Sequence, residues 1–387
     1  MILIQNISES SAPNLIAVKT FEPDQIIWIY PQRLQHVFER MKKLCKALAV
    51  HQHGCLVDDT DPYAMNMALK SEFAKFPSDQ KLVYHLAGGP RSIVLQGLKV
   101  LDETYRESGN IVEGVIYDHV SQAFDVMYPL AKNDAYSCST ITLEDMLHTF
   151  GNYLDENRPM KALSECEKHI DSIQQLMMLA PEIKGSTRGK IVKGLHSLGA
   201  DLCRFQLVVS KTGRASSFPG SLLNAFNILQ DMKIIRNLGV SGNMDISFHQ
   251  NTKINPYGYI NGGWLEDWLG AVLAELDWDG AGVGVQVLIG HKRTCTNSDN
   301  QELDFLGVRK NHLVYWSCKH TTRLTPEQLF EVDAMRDEIC GEVEHTAAIL
   351  HAGEIKKTML IKAKRLGIHV VNVWDKDAKE QVLSICS

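Results

Sequence analysis

Asp304, Glu302 and Lys319 are the residues whose types and spacing best suit chemistry. They stand at the open end of the stretch Gln301–His320, in which two apolar runs, Phe305–Val308 and Leu313–Trp316, flank the polar turn Arg309–His312. That pattern predicts a β-hairpin. Asp304 would open its first strand and Lys319 would close its second. Period-two alternation puts Leu313, Tyr315, Ser317 and Lys319 on one face. Carboxylate oxygens suit Mg²⁺ or Mn²⁺. An ammonium beside them would steady an attacking water or the charge that develops on a phosphorane. Together these groups serve phosphodiester hydrolysis. A plain surface hairpin with a lysine at its edge has the same pattern.

A third acid, Glu266, falls early in WLEDWLGAVLAEL, beside the apolar stripe Trp264, Leu265, Trp268, Leu269 and Val272. The stripe predicts a helix packed on a core. From its margin Glu266 would reach a metal, or would complement the positive end of the helix. Asp267 beside it is expected to face solvent. His320 and Arg323 would attract phosphate, while Tyr315 and Trp316 are expected to pack in the sheet. His291, Lys292 and Arg293 form a basic loop ahead of the hairpin.

A second candidate site lies near the amino end. Ile2–Ile7 reads as a strand running into the polar loop Ser8–Ser11. Lys81–Leu86 reads as another, running into Ala87-Gly88-Gly89-Pro90-Arg91-Ser92. Loops beyond the carboxyl ends of parallel strands are where α/β sheets bind ligands. Gly88 and Gly89 would let backbone amides approach closely. The following helix aims its amino end at the loop and favours phosphate, and Arg91 adds a charge-assisted fork. The stretch is neither GxGxxG nor a Walker loop.

The elements that must carry these sites alternate. Strands at Gln25–Tyr30, Glu113–Tyr117 and Phe124–Tyr128 interleave with helices at Ala12–Val18, Arg33–Ala49 and Tyr63–Phe73, which predicts an α/β domain with a largely parallel sheet over residues 1–135. Residues 136–250 read as a small, mainly helical or winged-helix-like middle module, with helices over Thr142–Leu154, Lys161–Leu179 and Gly220–Leu238 and a wing at Met244–Phe248. Its Lys184, Arg188, Lys190 and Lys193 read first as a solvated surface. Residues 251–387 form a second α/β unit built on the hairpin.

The 387 residues suit two or three domains, and 44% hydrophobic with 22% charged residues is ordinary globular composition. A net charge of -6 argues against a general nucleic-acid coat while leaving room for a local basic groove. The nine cysteines are scattered, without CxxC spacing or a zinc-type cluster, as in a reducing cytoplasm. No basic leader and no membrane-length apolar run is present, so a cytoplasmic protein without membrane partners is expected.

The helix with Glu266, the strand Gln301-Glu302-Leu303-Asp304 and the run Ser317-Cys318-Lys319 resemble the restriction-endonuclease-like PD-(D/E)xK nucleases. The Ser8–Ser11 loop and Leu86–Ser92 resemble those of a CARF domain, the Rossmann-like sensor of cyclic oligoadenylates in CRISPR defence. The pairing covers almost the whole chain and resembles the Card1/Can2 group of CRISPR ancillary nucleases. The resemblance implies a homodimer that binds a cyclic oligoadenylate, usually cyclic tetraadenylate, across its sensor domains. Ser10, Gly88, Gly89, Arg91 and Ser92 would contact that ligand. Binding would activate metal-dependent cleavage of RNA and/or DNA through Asp304, Lys319, Glu266 and Glu302, the three acids holding Mg²⁺ or Mn²⁺.

Two positions depart from the pattern. Ser317 stands where an acid is expected two residues before Lys319, so Glu302 or Glu266 would have to compensate. Pro90-Arg91 stands where Thr-Lys is common, which keeps the charge and changes the hydrogen-bond geometry. Ser317 makes a catalytically silent sensor or scaffold the first alternative. A nucleic-acid-binding regulator using the middle module and a sensor that degrades its own ligand are the others.

Overall fold

The computed structural model describes residues 1–48, 50–77, 80–105, 111–129, 134–185, 192–197, 202–207, 220–241, 245–250, 259–290, 300–340 and 345–387. The basic loop 291–293, Arg188, Lys190 and the start of the expected wing at Met244 lie outside the described residues.

The amino third alternates β1 (Ile2–Asn6), α1 (Ala12–Phe21), β2 (Gln25–Pro31), α2 (Gln35–Leu44), β3 (His51–Val57), α3 (Pro62–Phe73), β4 (Leu82–His85), α4 (Arg91–Tyr105), β5 (Val112–Asp118), β6 (Ala123–Tyr128) and β7 (Ala135–Ser137). These strands form one seven-stranded sheet in the order β3-β2-β1-β4-β5-β6-β7. The first five are parallel, and β6 and β7 return antiparallel. Ile2–Ile4 and Ile26–Ile29 are buried without alternation because helices cover both faces. The chain winds outward from β1 in one direction and from β4 in the other. The crevice between β1 and β4 is therefore the switch point of a doubly wound sheet. The edge strand β3 is absent from the sequence expectation. Its HQHGCLV run is half polar because one side meets solvent.

In the middle third, α5 (Leu143–Phe150) starts with a capping box between Thr142 and Asp145. It is followed by β8 (Tyr153–Leu154), α6 (Leu163–Glu167), α7 (Ile170–Gly185), β9 (Val192–Ser197), β10 (Leu202–Leu207), α8 (Gly220–Asp231), β11 (Ile235–Ser241) and β12 (Asp245–Gln250). A four-stranded antiparallel sheet, β11-β12-β10-β9, forms here. The helix expected to run on to Leu238 stops at Asp231, because Lys233 takes φ 61° and turns the chain into β11.

The carboxyl third contains α9 (Trp264–Leu273), β13 (Gly280–Leu288), β14 (Asn300–Arg309), β15 (His312–Lys319), α10 (Pro326–Cys340), β16 (His345–His351), α11 (Lys357–Arg365), β17 (Ile368–Asn372) and α12 (Ala378–Cys386). Its six-stranded sheet has the order β17-β16-β15-β14-β13-β8 and takes its edge strand from Tyr153–Leu154. The stripe on α9 packs Trp264, Leu265 and Leu269 into the same core as Phe305, Val314 and Trp316. Among the described residues no helix is long and apolar enough to cross a membrane.

The predicted hairpin is β14–β15. Its turn is tighter than expected: the strands pair as far as Arg309 and His312, leaving Lys310 and Asn311 with φ 50° and 58°. Two successive left-handed residues match a type I′ turn, whose twist suits paired strands. Asn311 is only 5% exposed at this tip. Its Nδ2 donates to Gln122 Oε1 at 3.0 Å and to the Ser139 carbonyl at 3.1 Å, and its Oδ1 accepts from the Ile141 amide at 2.9 Å. The tip is thereby fastened to the turn between β5 and β6 and to the segment after β7. Ser139 in turn binds α1, its amide donating to Thr20 Oγ1 and its hydroxyl to the Lys19 carbonyl.

Candidate active site

Backbone pairing between β14 and β15 runs from the turn to Phe305–Trp316. One residue further on, the Asp304 carboxylate takes the place of a ladder acceptor. Its Oδ2 accepts from the Cys318 amide at 2.6 Å and from Ser317 Oγ at 3.2 Å. Beyond this point β14 pairs with β13, through Leu303–Val285 and Glu302–Gln286, while β15 pairs with β16 as far as Lys319–His351. The strands thus part at Asp304 and open a notch. Asp304 and Lys319 lie at this end of the hairpin, near enough for the lysine charge to act on the carboxyl.

Glu266 approaches from the first turn of α9. Trp264 packs its ring edge-on against His320, at 5.4 Å between centroids, which sets the start of α9 against the end of β15. Burial pushes the Glu266 carboxyl up to about 8, and the negative charges of Asp304, Asp267 and Glu302 push it the same way. Burial also raises the Asp304 carboxyl, against the Cys318 amide, the Lys319 charge and the Ser317 hydroxyl. Glu266, Glu302 and Asp304 therefore share one electrostatic neighbourhood. Glu302 is its exposed member. Among the described residues, no three His, Cys, Asp or Glu side chains are gathered closely enough to grip an ion as they stand. The donor chemistry nevertheless suits Mg²⁺ or Mn²⁺: hard oxygen ligands, with buried carboxylates raised by one another's charge, are what a divalent cation relieves.

Asp267 corrects the sequence expectation. It is 4% exposed, and Lys161 Nζ donates to both its oxygens at 2.7 Å. The Tyr259 hydroxyl and Cys166 Sγ also donate to it. This buried ion pair pins the first turn of α9 and so fixes the direction from which Glu266 enters. Lys161 also opposes the upward shift at Glu266. Arg323, expected to attract phosphate, pairs instead with Glu354 at 2.9 Å on the surface. Lys319 is held by a residue outside the sequence prediction: Glu331 on α10, whose Oε1 accepts from its Nζ at 2.9 Å.

At the amino end, the two predicted loops meet at the switch point. Gly88 and Gly89 have φ 82° and 69°, in the left-handed region. A Cβ on Gly89 would lie 2.9 Å from Asn6 Cβ, and one on Gly88 3.0 Å from the Asn6 carbonyl and 3.2 Å from Ser8 Oγ. Only glycine fits between them. Ser8 Oγ donates to the Ser10 carbonyl at 2.7 Å and Ser11 Oγ to the Ser8 carbonyl at 3.1 Å, which closes the first loop on itself. Arg91 and Ser92 open α4 and are exposed beside the glycines. The glycines thus pack on the first loop through Asn6, Ile7 and Ser8, with Arg91 and Ser92 opening the helix that follows them. Asp304, Lys319 and Glu266 lie around the distant notch.

A doubly wound, largely parallel sheet joined through a middle segment to a mixed six-stranded sheet defines the architecture. No known family profile matches the chain, and no curated protein does. Solved structures do match its fold. Protein VC1899 from Vibrio cholerae has a TM-score of 0.71 and 15% identity, over 99% of this chain and 96% of that one. Can2 from Sulfobacillus thermosulfidooxidans, in complex with cyclic tetra-adenylate, has a TM-score of 0.67 and 14% identity, over 100% and 99%. A type III CRISPR defence DNA nuclease activated by cyclic oligoadenylate has a TM-score of 0.52 and 13% identity, over 99% of this chain and 51% of that one. The chain has the fold of the Card1/Can2-like ancillary nucleases, as its sequence resemblance implied.

Proposed function

We propose that this protein is a cyclic-oligoadenylate-activated, metal-dependent nuclease of CRISPR-associated antiviral defence, cleaving phosphodiester bonds of RNA and/or DNA. The observation that carries the reading is the notch at Asp304, where the hairpin strands part and Lys319 and Glu266 stand on either side. The likeness in fold to Can2 bound to cyclic tetra-adenylate supports it.

In this reading residues 1–135 are the sensor, 136–250 the middle module and 251–387 the nuclease, with β8 lent to the nuclease sheet. The protein acts as a homodimer with one cyclic oligoadenylate, cyclic tetraadenylate by analogy, between the sensor domains. The Gly88 and Gly89 amides and Arg91 hold its phosphates, and Ser10 and Ser92 contact the rest of the ring. In the notch, Asp304, Glu266 and Glu302 would hold Mg²⁺ or Mn²⁺, which supplies Lewis-acid polarisation of the phosphate and a more acidic water. Lys319 orients the attacking water or steadies the charge on the phosphorane. The Asp267–Lys161 pair keeps Glu266 aimed at the notch.

Cleavage with cyclic tetraadenylate and Mn²⁺ tests this, comparing the parent with Asp304→Ala and Lys319→Ala. Undiminished metal-dependent cleavage by both variants overturns the assignment. Ser317 favours one rival, a sensor without cleavage. That reading predicts tight ligand binding and no Mn²⁺ uptake at the notch.

A further inference from the structure

The nuclease reading leaves the β15 face one acid short. Tyr315, Ser317 and Lys319 point to that face, and Ser317 is 2% exposed with its hydroxyl committed to Asp304. A neutral hydroxyl is a poor substitute for a carboxylate on a hard divalent cation. Helix α10 packs against β15 and covers the same face. From it, Glu331 reaches Lys319 Nζ at 2.9 Å. Its charge also contributes to the raised Tyr315 hydroxyl, as does that of Asp304. Glu331 and Asp304 therefore both act on the strand face that carries Tyr315 and Lys319. The two partners of the ion pair differ: the Lys319 side chain is 18% exposed and that of Glu331 59%. The lysine is held in the notch, while the glutamate sits at its mouth, where an exposed ion pair contributes no more than about 1 kcal/mol and is easily exchanged.

We propose that Glu331 is the missing acid of the site, supplying from α10 the metal-binding carboxylate that β15 lacks at position 317. A cation is bound by where an oxygen sits and not by which strand or helix carries it. Lys319 now pairs with Glu331. With a divalent cation bound, Glu331 would serve as one of its ligands and Lys319 would be free to meet a phosphate. This inference rests on the nuclease reading and names a ligand that the sequence pattern does not.

The test uses the full chain, titrated with Mn²⁺ by calorimetry without activator and assayed for cleavage with cyclic tetraadenylate. Glu331→Gln should weaken Mn²⁺ binding about tenfold or more and leave the melting temperature near that of the parent. Adding Ser317→Asp to Glu331→Gln should restore Mn²⁺ affinity by returning the acid to the strand. Parent-like Mn²⁺ affinity in Glu331→Gln overturns the inference while the nuclease reading stands. A parent that neither binds Mn²⁺ nor cleaves overturns both.

Discussion

Beneath the ligand loops of the amino domain the buried polar groups are neutral. Gln5 and Asn14 exchange hydrogen bonds at 3.0 and 2.8 Å, the Tyr84 hydroxyl donates to Asn6 Oδ1 at 2.9 Å, and His85 Nδ1 meets Gln5 Oε1 at 3.2 Å. Around the notch of the carboxyl domain the buried groups are ionisable: Asp304 and Glu266, whose carboxyls burial raises, and the ion pair Asp267–Lys161. The network under the loops is bonded within the protein except at His85 Nε2, which is buried without a partner. The acids around the notch hold their protons more tightly through burial and through one another's charge, which a bound cation would relieve.

The sharpest way to break this comparison is to remove the charges that do the work. Asp304→Ala and Lys319→Ala should each lower activated cleavage by at least about 10²-fold while ligand binding by the sensor holds, as read by cleavage rate and calorimetry. Lys161→Met strands Asp267 as an uncompensated buried charge. It should cost about 3–5 kcal/mol in denaturant unfolding, more than any single neutral deletion under the sensor loops. Gly89→Ala forces a side chain into left-handed backbone against Asn6. It should cost about 1–3 kcal/mol and weaken cyclic tetraadenylate binding, with Mn²⁺ binding unchanged.

The two regions should also answer pH with opposite signs. Burial holds the Glu266 carboxyl up to about 8, well above its unfolded value. Between those values the unfolded chain gives up the proton and the folded one keeps it, so metal-free stability falls as pH rises toward 8. Burial holds the His85 imidazole down to about 3. The unfolded chain then binds the extra proton, so that contribution is lost as pH falls below about 6.5. Melting temperature against pH should flatten between about 4.5 and 8 in Glu266→Gln and between about 3 and 6.5 in His85→Gln. The smallest effect is expected from Tyr84→Phe, which gives up the bond to Asn6 at a cost of about 1 kcal/mol.

Much of this was legible in the sequence. The alternation around Phe305–Trp316 placed Asp304 and Lys319 at one end of a hairpin because strand periodicity fixes faces without reference to the rest of the chain. The glycine pair was legible because left-handed backbone narrows the choice of residue. Asp267 was misread because an acid beside an apolar stripe normally faces water, and its partner Lys161 is remote in sequence. Glu331 carried no signal at all: its relation to Lys319 comes from a helix crossing a strand, and no local spacing records that. The strand β3 escaped because it is half polar at a sheet edge, and Tyr153–Leu154, read as the end of a helix from Thr142, is instead a dipeptide strand pairing with β13, because Gly151 at φ 82° ends the helix at Phe150.

Asn311 spends its whole amide on the β5–β6 turn and the segment just after β7, at the far end of the same two strands that carry Asp304 and Lys319. A paired ribbon is stiff along its length, so its two ends move together. A tilt of the β5–β6 turn, or of α1, whose first residues follow the Ser8–Ser11 loop, would therefore be felt at Asp304 and Lys319.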